Sequence, residues 1–123
     1  LFIADSPEEI ERKVMSAVTD SEKEIRYDRE NKAGISNLLE IYSTLSNEEV
    51  SQTEGRFAHK NYGQFKRTLA KLITKHFASF RRRKEKLLAN PKKLEKIIRR
   101  GSKTANKIAE EKIRIVKSKL GLL

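Results

Sequence analysis

A chain of 123 residues with 37% hydrophobic content can bury one modest core, so it is either a single small domain or a piece of a larger protein. The absence of cysteine rules out a disulfide framework and a thiolate zinc site, and two separated histidines point to no metal centre. The formal net charge is +11, and no apolar run reaches the roughly 18 residues of a membrane span.

That charge is unevenly divided. Residues 1–55 carry 6 basic and 13 acidic side chains, net −7, whereas residues 56–123 carry 22 and 4, net +18. An acidic half beside a basic half predicts one region that contacts protein and another that meets a polyanion, nucleic acid being the commonest case. The composition fits a reducing, intracellular setting. The start on Leu1 rather than methionine predicts a piece of a longer protein whose remainder lies N-terminal.

Helical signals dominate in chain order. Ser6-Pro7-Glu8-Glu9 offers a cap, a proline at the first helical position and a glutamate that can close a capping box. Ile10, Val14, Ala17 and Val18 then line one face, and the helix is predicted to stop near Thr19-Asp20-Ser21. A polar loop follows over Arg26 to Gly34, before a second helix from Ile35 or Ser36 that presents Ile35, Leu38, Leu39, Tyr42 and Leu45. Ser46-Asn47-Glu48-Glu49 repeats the capping-box pattern and predicts a short third helix ending around Gly55.

The fourth helix is predicted to run from about Tyr62 into the basic stretch Phe80 to Lys86. At about 100° per residue, Phe65, Leu69, Leu72, His76 and Phe80 share a stripe, with Ile73 and Phe77 beside it. Arg67, Lys71, Lys75, Arg82 and Lys86 fall opposite, while Arg83 is in line with the stripe and is expected to pair with a carboxylate from residues 1–55. A capped restart at Asn90-Pro91 opens the last helical region. There Leu94, Ile97, Ile98, Ala105, Ile108, Ala109 and Val116 hold one phase across Gly101, which is a kink, a close-packing point or a boundary between two helices. Lys92, Lys96, Arg99, Arg100, Lys103, Lys107 and Arg114 stand on the other face. The whole reads as an all-α bundle of five or six helices.

Ala17-Val18-Thr19-Asp20-Ser21, Ile25-Arg26-Tyr27-Asp28 and Gly34-Ile35-Ser36-Asn37-Leu38-Leu39-Glu40-Ile41-Tyr42-Ser43 resemble the C-terminal part of bacterial-type tryptophanyl-tRNA synthetases. Tyr62-Gly63-Gln64-Phe65-Lys66 is similar to the family's Tyr-Gly-x-Phe-Lys, and Ala105 to Gly121 to its terminal helix. The resemblance covers nearly the whole chain. It implies a helical tRNA-binding region, residues 1–123, that follows a nucleotide-binding catalytic domain in a cytoplasmic homodimer, with the organellar matrix as the alternative location. That enzyme attaches tryptophan to its tRNA using ATP and magnesium. The class I signatures His-Ile-Gly-His and Lys-Met-Ser-Lys-Ser do not occur, so no catalytic residue, metal ligand or cofactor site is expected in this segment, and the chain alone is expected to be inactive. Ala33 and Asn61 depart from the family's usual proline and glycine. Ser79-Phe80-Arg81-Arg82 replaces a Pro-Ile break, which predicts that the fourth helix continues.

On this reading the acidic residues 1–55 dock on the missing catalytic domain and the basic residues 56–123 face tRNA. Arg67, Lys71, Lys75, Arg82, Lys86, Lys96, Arg99, Arg100, Lys103 and Lys107 are candidate phosphate contacts, because a face of like charge without interspersed acid is relieved by a polyanion. Tyr62 and His59 are candidates for stacking on unpaired bases, and Phe57 is expected to pack instead. His76 is expected in the core. Thr19, Asp20 and Ser21 hold a turn through side-chain hydrogen bonds, and the family geometry implies that this turn abuts the catalytic domain. The rival readings are a structural module that couples the catalytic domain to its dimer partner, and an unrelated basic helical protein that binds nucleic acid nonspecifically.

Overall fold

A computed structural model, which describes residues 1–122, shows six α-helices and no strand among them. They are α1 (Pro7–Met15), α2 (Ala33–Ser46), α3 (Val50–Phe57), α4 (Tyr62–His76), α5 (Ala78–Leu88) and α6 (Pro91–Lys119). The chain divides into two compact units, Leu1–Arg81 and Arg82–Leu123. The first holds 13 basic and 13 acidic residues and the second 15 and 4, so the entire net charge of +11 lies beyond Arg81.

The capping box at Ser6 forms as the sequence predicts. The Ser6 hydroxyl accepts from the Glu9 amide at 3.2 Å, and Glu9 accepts from the Ser6 amide at 2.9 Å. Ile10 and Val14 bury their side chains, but α1 stops at Met15, short of Thr19. Val18 therefore leaves the predicted apolar face and is 88% exposed. Residues 17–32 run without helix or strand, contributing Ile25 to the core.

In α2, Ile35, Leu38, Leu39 and Tyr42 are buried. Gly34 sits in its first turn for a steric reason: a Cβ there would lie 2.3 Å from the Val18 carbonyl oxygen. The boundary between α2 and α3 differs from the sequence expectation. Ser46 is the last residue of α2, Asn47 closes it in a left-handed conformation (φ 58°), and the box that opens α3 is Glu49 with Gln52. Asparagine tolerates that backbone at low cost, which makes it a helix terminator rather than a first-turn residue.

Phe57 packs edge-on against Tyr42 and Phe65, with ring centroids 5.0 and 4.8 Å apart, and joins α2, α3 and α4 into one core. On α4, Phe65, Leu69 and Ile73 are buried as the stripe predicts, Leu72 of the same stripe is half-buried, and Ala70, outside it, is buried as well. The stripe then ends: His76 is exposed and Phe80 is 45% exposed.

The helix breaks at Phe77 despite the missing proline, which corrects the expectation of a continuous fourth helix. Arg81 folds back across the break, and its Nη2 donates to the Thr74 carbonyl, seven residues earlier and near the C-terminus of α4. A cation there complements the exposed carbonyls of the helix end. The break also shifts the helical phase, so that Arg81 is the half-buried arginine. Arg83, expected to be inward and paired, is exposed and enters no ion pair among the described residues.

In the second unit α6 is one unbroken helix of 29 residues that passes through Gly101. A Cβ at Gly101 would meet nothing within 4 Å, so neither a close contact nor a helix boundary explains the glycine. No residue of α6 is buried, and Ile97, Ile98 and Ile108 are at least half exposed.

Candidate nucleic-acid interface

The ten candidate phosphate contacts are all exposed, which is what a lysine or arginine side chain needs to reach an external anion. They fall into three groups. Arg67, Lys71 and Lys75 follow one another at helical spacing on α4, within the first unit. Arg82 and Lys86 lie on α5 in the second unit. The break at Phe77 separates these two sets, so the five residues do not share one helix as the sequence predicts.

Lys96, Arg99, Arg100, Lys103 and Lys107 form the third group, along α6. Spacings of three and four residues keep them on one side of the helix over a length of about 16 Å, at a rise of about 1.5 Å per residue. Arg99 is partly committed, donating to Glu95 at 2.8 Å. No acid neutralises the other four among the described residues.

His59 is exposed in the connection before α4. Tyr62 is half-buried, and its hydroxyl turns inward to donate to the Asp20 carboxylate, with oxygens 2.7 and 2.9 Å away. This places Tyr62 in a buried polar network around the turn at Thr19, Asp20 and Ser21. Asp20 also accepts from the Glu22 amide at 2.9 Å, the local side-chain bond the sequence predicts, while Ser21 stays exposed.

The larger part of this network centres on Lys32, outside the turn itself. Lys32 is 1% exposed, and its Nζ donates to Asp20 at 3.3 Å, to the Glu24 carbonyl at 3.1 Å and to Tyr62 at 3.2 Å, with Glu22 at 2.6 Å. Burial works against its charge, but the hydrogen bonds with Glu22, Tyr62 and Asp20 outweigh it and hold its pKa above the ordinary lysine value. Burial likewise opposes ionisation of Asp20, and is outweighed by Tyr62, the Glu22 amide and Lys32, so its carboxyl sits below its usual range. Burial together with Asp20 raises the Tyr62 phenol.

Lys66 is the second buried lysine, 8% exposed, and its Nζ donates to the Ala17 carbonyl at 2.7 Å and to Thr19 Oγ1 at 3.3 Å. Periodicity could have flagged it, since Lys66 lies next to Phe65 and four residues before Ala70 on the packed side of α4. Nothing in the pattern distinguishes Lys32, which stands in a polar loop.

The family model described as tRNA synthetases class I (W and Y) matches residues 1–78. The chain therefore belongs to the class I tRNA synthetases of that tryptophan and tyrosine group. It is 40% identical to the tryptophan–tRNA ligase of Bacillus anthracis over 122 residues, which is 99% of this chain and 37% of that protein. The tryptophan–tRNA ligase of Bacillus subtilis (strain 168) is 36% identical over the same shares. Among solved structures, the tryptophanyl-tRNA synthetase from Mycoplasma pneumoniae superposes with a TM-score of 0.62 at 26% identity, covering 71% of this chain and 28% of that one. The chain thus spans little more than a third of the curated relatives it matches.

Proposed function

We propose that this chain is the C-terminal, anticodon-arm-binding region of a tryptophan–tRNA ligase. Its exposed basic helices position tRNA, and the remainder of a longer protein joins tryptophan to that tRNA with ATP and magnesium. The observation that carries the reading is the alignment of 99% of the chain with tryptophan–tRNA ligases in which it corresponds to 37% of the length. The concentration of the whole net charge beyond Arg81 supports it, since phosphate neutralisation dominates affinity for nucleic acid.

In this reading the chain supplies no catalytic group, and the turn at Thr19, Asp20 and Ser21 faces the catalytic part of a cytoplasmic homodimer. Arg67, Lys71, Lys75, Arg82, Lys86, Lys96, Arg100, Lys103 and Lys107 make the phosphate contacts, with Arg99 shared between RNA and Glu95. His59 is the exposed ring available to an unpaired base. Tyr62 contributes its ring alone, because its hydroxyl is engaged with Asp20.

Filter binding of the chain to tryptophan-specific tRNA, with native and altered anticodons, tests the proposal together with tryptophan-dependent ATP–pyrophosphate exchange. Binding with a measurable anticodon preference and no exchange is expected. Equal affinity for both tRNAs would reduce the role to general attraction, and exchange by the chain alone would overturn the assignment of activation to the remainder.

A further inference from the structure

The last helix is amphipathic along its whole length. At about 100° per residue, Ile97, Ile108 and Ile115 of α6 fall within about 20° of one another, and Leu94, Ala105 and Val116 lie on their flank. An apolar face this regular normally packs on a core, yet the three isoleucines are 50%, 63% and 48% exposed. Lys96, Arg100, Lys103, Lys107 and Arg114 occupy the opposite side. Over the helix, eleven basic side chains stand against three acids, Glu95, Glu110 and Glu111, and Glu95 is already held by Arg99.

Two further lysines decide what covers the apolar face. Lys112 falls in line with Leu94, and Lys119 within about 20° of Ile108, so both rise from the apolar side itself. A protein groove, or the seam between two copies of α6, would enclose these ammonium groups, which is costly unless an acid meets each one. At a bilayer surface the same side chains lie along the apolar face on their hydrocarbon stems and put their charge among the headgroups. The net positive charge of α6, counted with its three acids, has the sign that anionic headgroups attract. No described helix is long and apolar enough to cross a membrane, so the contact runs along the surface.

We infer that α6 is an interfacial helix for an anionic lipid surface, with Ile97, Ile108 and Ile115 inserted at the boundary of the acyl chains. Lys112 and Lys119 reach from the apolar side to the headgroups. The inference stands apart from the tRNA reading, because the isoleucine face makes none of the phosphate contacts proposed above.

Cosedimentation of the 123-residue chain with vesicles tests it. Partition into mixed vesicles of phosphatidylcholine and phosphatidylglycerol is expected to exceed that into phosphatidylcholine alone by about tenfold or more. The triple variant Ile97→Ser, Ile108→Ser, Ile115→Ser keeps the charge and is expected to lose about tenfold or more on the mixed vesicles, through lost apolar burial. A variant that binds as well as wild type reduces the contact to surface charge and overturns the inference, as does failure of the wild-type chain to bind either vesicle. Sedimentation equilibrium without lipid covers the remaining occupant: a dimer that the triple variant abolishes would assign the face to a second copy and overturn the lipid reading. A second readout leaves the apolar face nearly intact. The chain has no cysteine, so Ile108→Cys and Lys103→Cys each carry one environment-sensitive fluorophore. A blue shift on the mixed vesicles at position 108 and little or none at position 103 is expected, and equal shifts at the two positions overturn the inference.

Discussion

At the level of single residues, the buried cations decide more than the exposed ones. Lys32 is surrounded by Asp20, Glu22, Tyr62 and a carbonyl, so replacing it by methionine keeps volume but leaves Asp20 without its ammonium. Breaking such a pair from one side costs about 3 kcal/mol, the low end for buried pairs because Glu22 reaches solvent. Urea unfolding of Lys32→Met is expected to show a loss of that size; a change under about 0.5 kcal/mol would mean the network adds nothing beyond packing. Within the basic stretch the order of effects is set by the break at Phe77. Arg81→Ala removes the donor to Thr74 and is expected to cost about 1–2 kcal/mol, whereas Arg83→Ala stays within about 0.5. A larger effect at Arg83 would restore the uninterrupted helix that the sequence suggests. Asp28 adds a pH dependence. The Asn31 backbone and side chain, with Arg26, hold its carboxyl down to about 2 from an ordinary 3.8. Its folded pKa is depressed, so its contribution is fully present above about pH 4 and is lost as pH falls through about 2. Asp28→Asn is therefore expected to narrow the stability difference from wild type as pH drops from 4 towards 2, and parallel pH profiles would count against that role.

At the level of helices, what the sequence made legible was the apolar periodicity, and what it hid was termination. Phe65, Leu69 and Ile73 on α4, and Ile35, Leu39 and Tyr42 on α2, are buried because a repeat near 3.6 leaves them a single face to pack. The end of α1 at Met15, the left-handed Asn47 and the break at Phe77 depend on partners remote in sequence or on small dihedral preferences, which no pattern of hydrophobicity records. The chemistry of the turn at Asp20 was half visible for the same reason: the bond to the Glu22 amide is local, but Lys32 and Tyr62 arrive from 12 and 42 residues away. Gly101 poses the opposite problem, a helix breaker by propensity inside a helix that does not break. With nothing near its Cβ position, Gly101→Ala is expected to stabilise α6 by about 0.5–1 kcal/mol through the unfolded chain's lost freedom, seen as higher helicity by circular dichroism on heating. A loss of helicity instead would show that the backbone at Gly101 is strained in a way the geometry does not reveal.

For the whole molecule, charge and packing are segregated. The unit with a buried core is electrically neutral, and the unit without buried residues in α6 carries all of the net charge. A sequence count alone puts the change of sign near residue 55 and credits α4 with part of the excess; the structure shows that Arg67, Lys71 and Lys75 sit on a body whose 13 acids cancel its 13 bases. Long-range attraction for a polyanion should therefore arise from the second unit, with the α4 lysines acting only at short range. Two triple variants separate these contributions: Arg67, Lys71 and Lys75 changed to glutamine, and Lys96, Lys103 and Lys107 changed to glutamine, sparing Arg99 because Glu95 already holds it. All six side chains are exposed, so both variants are expected to keep the helical circular dichroism of the parent. Each phosphate contact removed lowers the slope of log affinity against log salt by roughly 0.7–0.9, so each variant, having lost three of the proposed contacts, is expected to lose about two units. Both losses should be the same for native and altered anticodons, since phosphate contacts position RNA without reading it. A steeper loss from the α4 variant would place the RNA on the neutral body and remove the second unit from the binding surface.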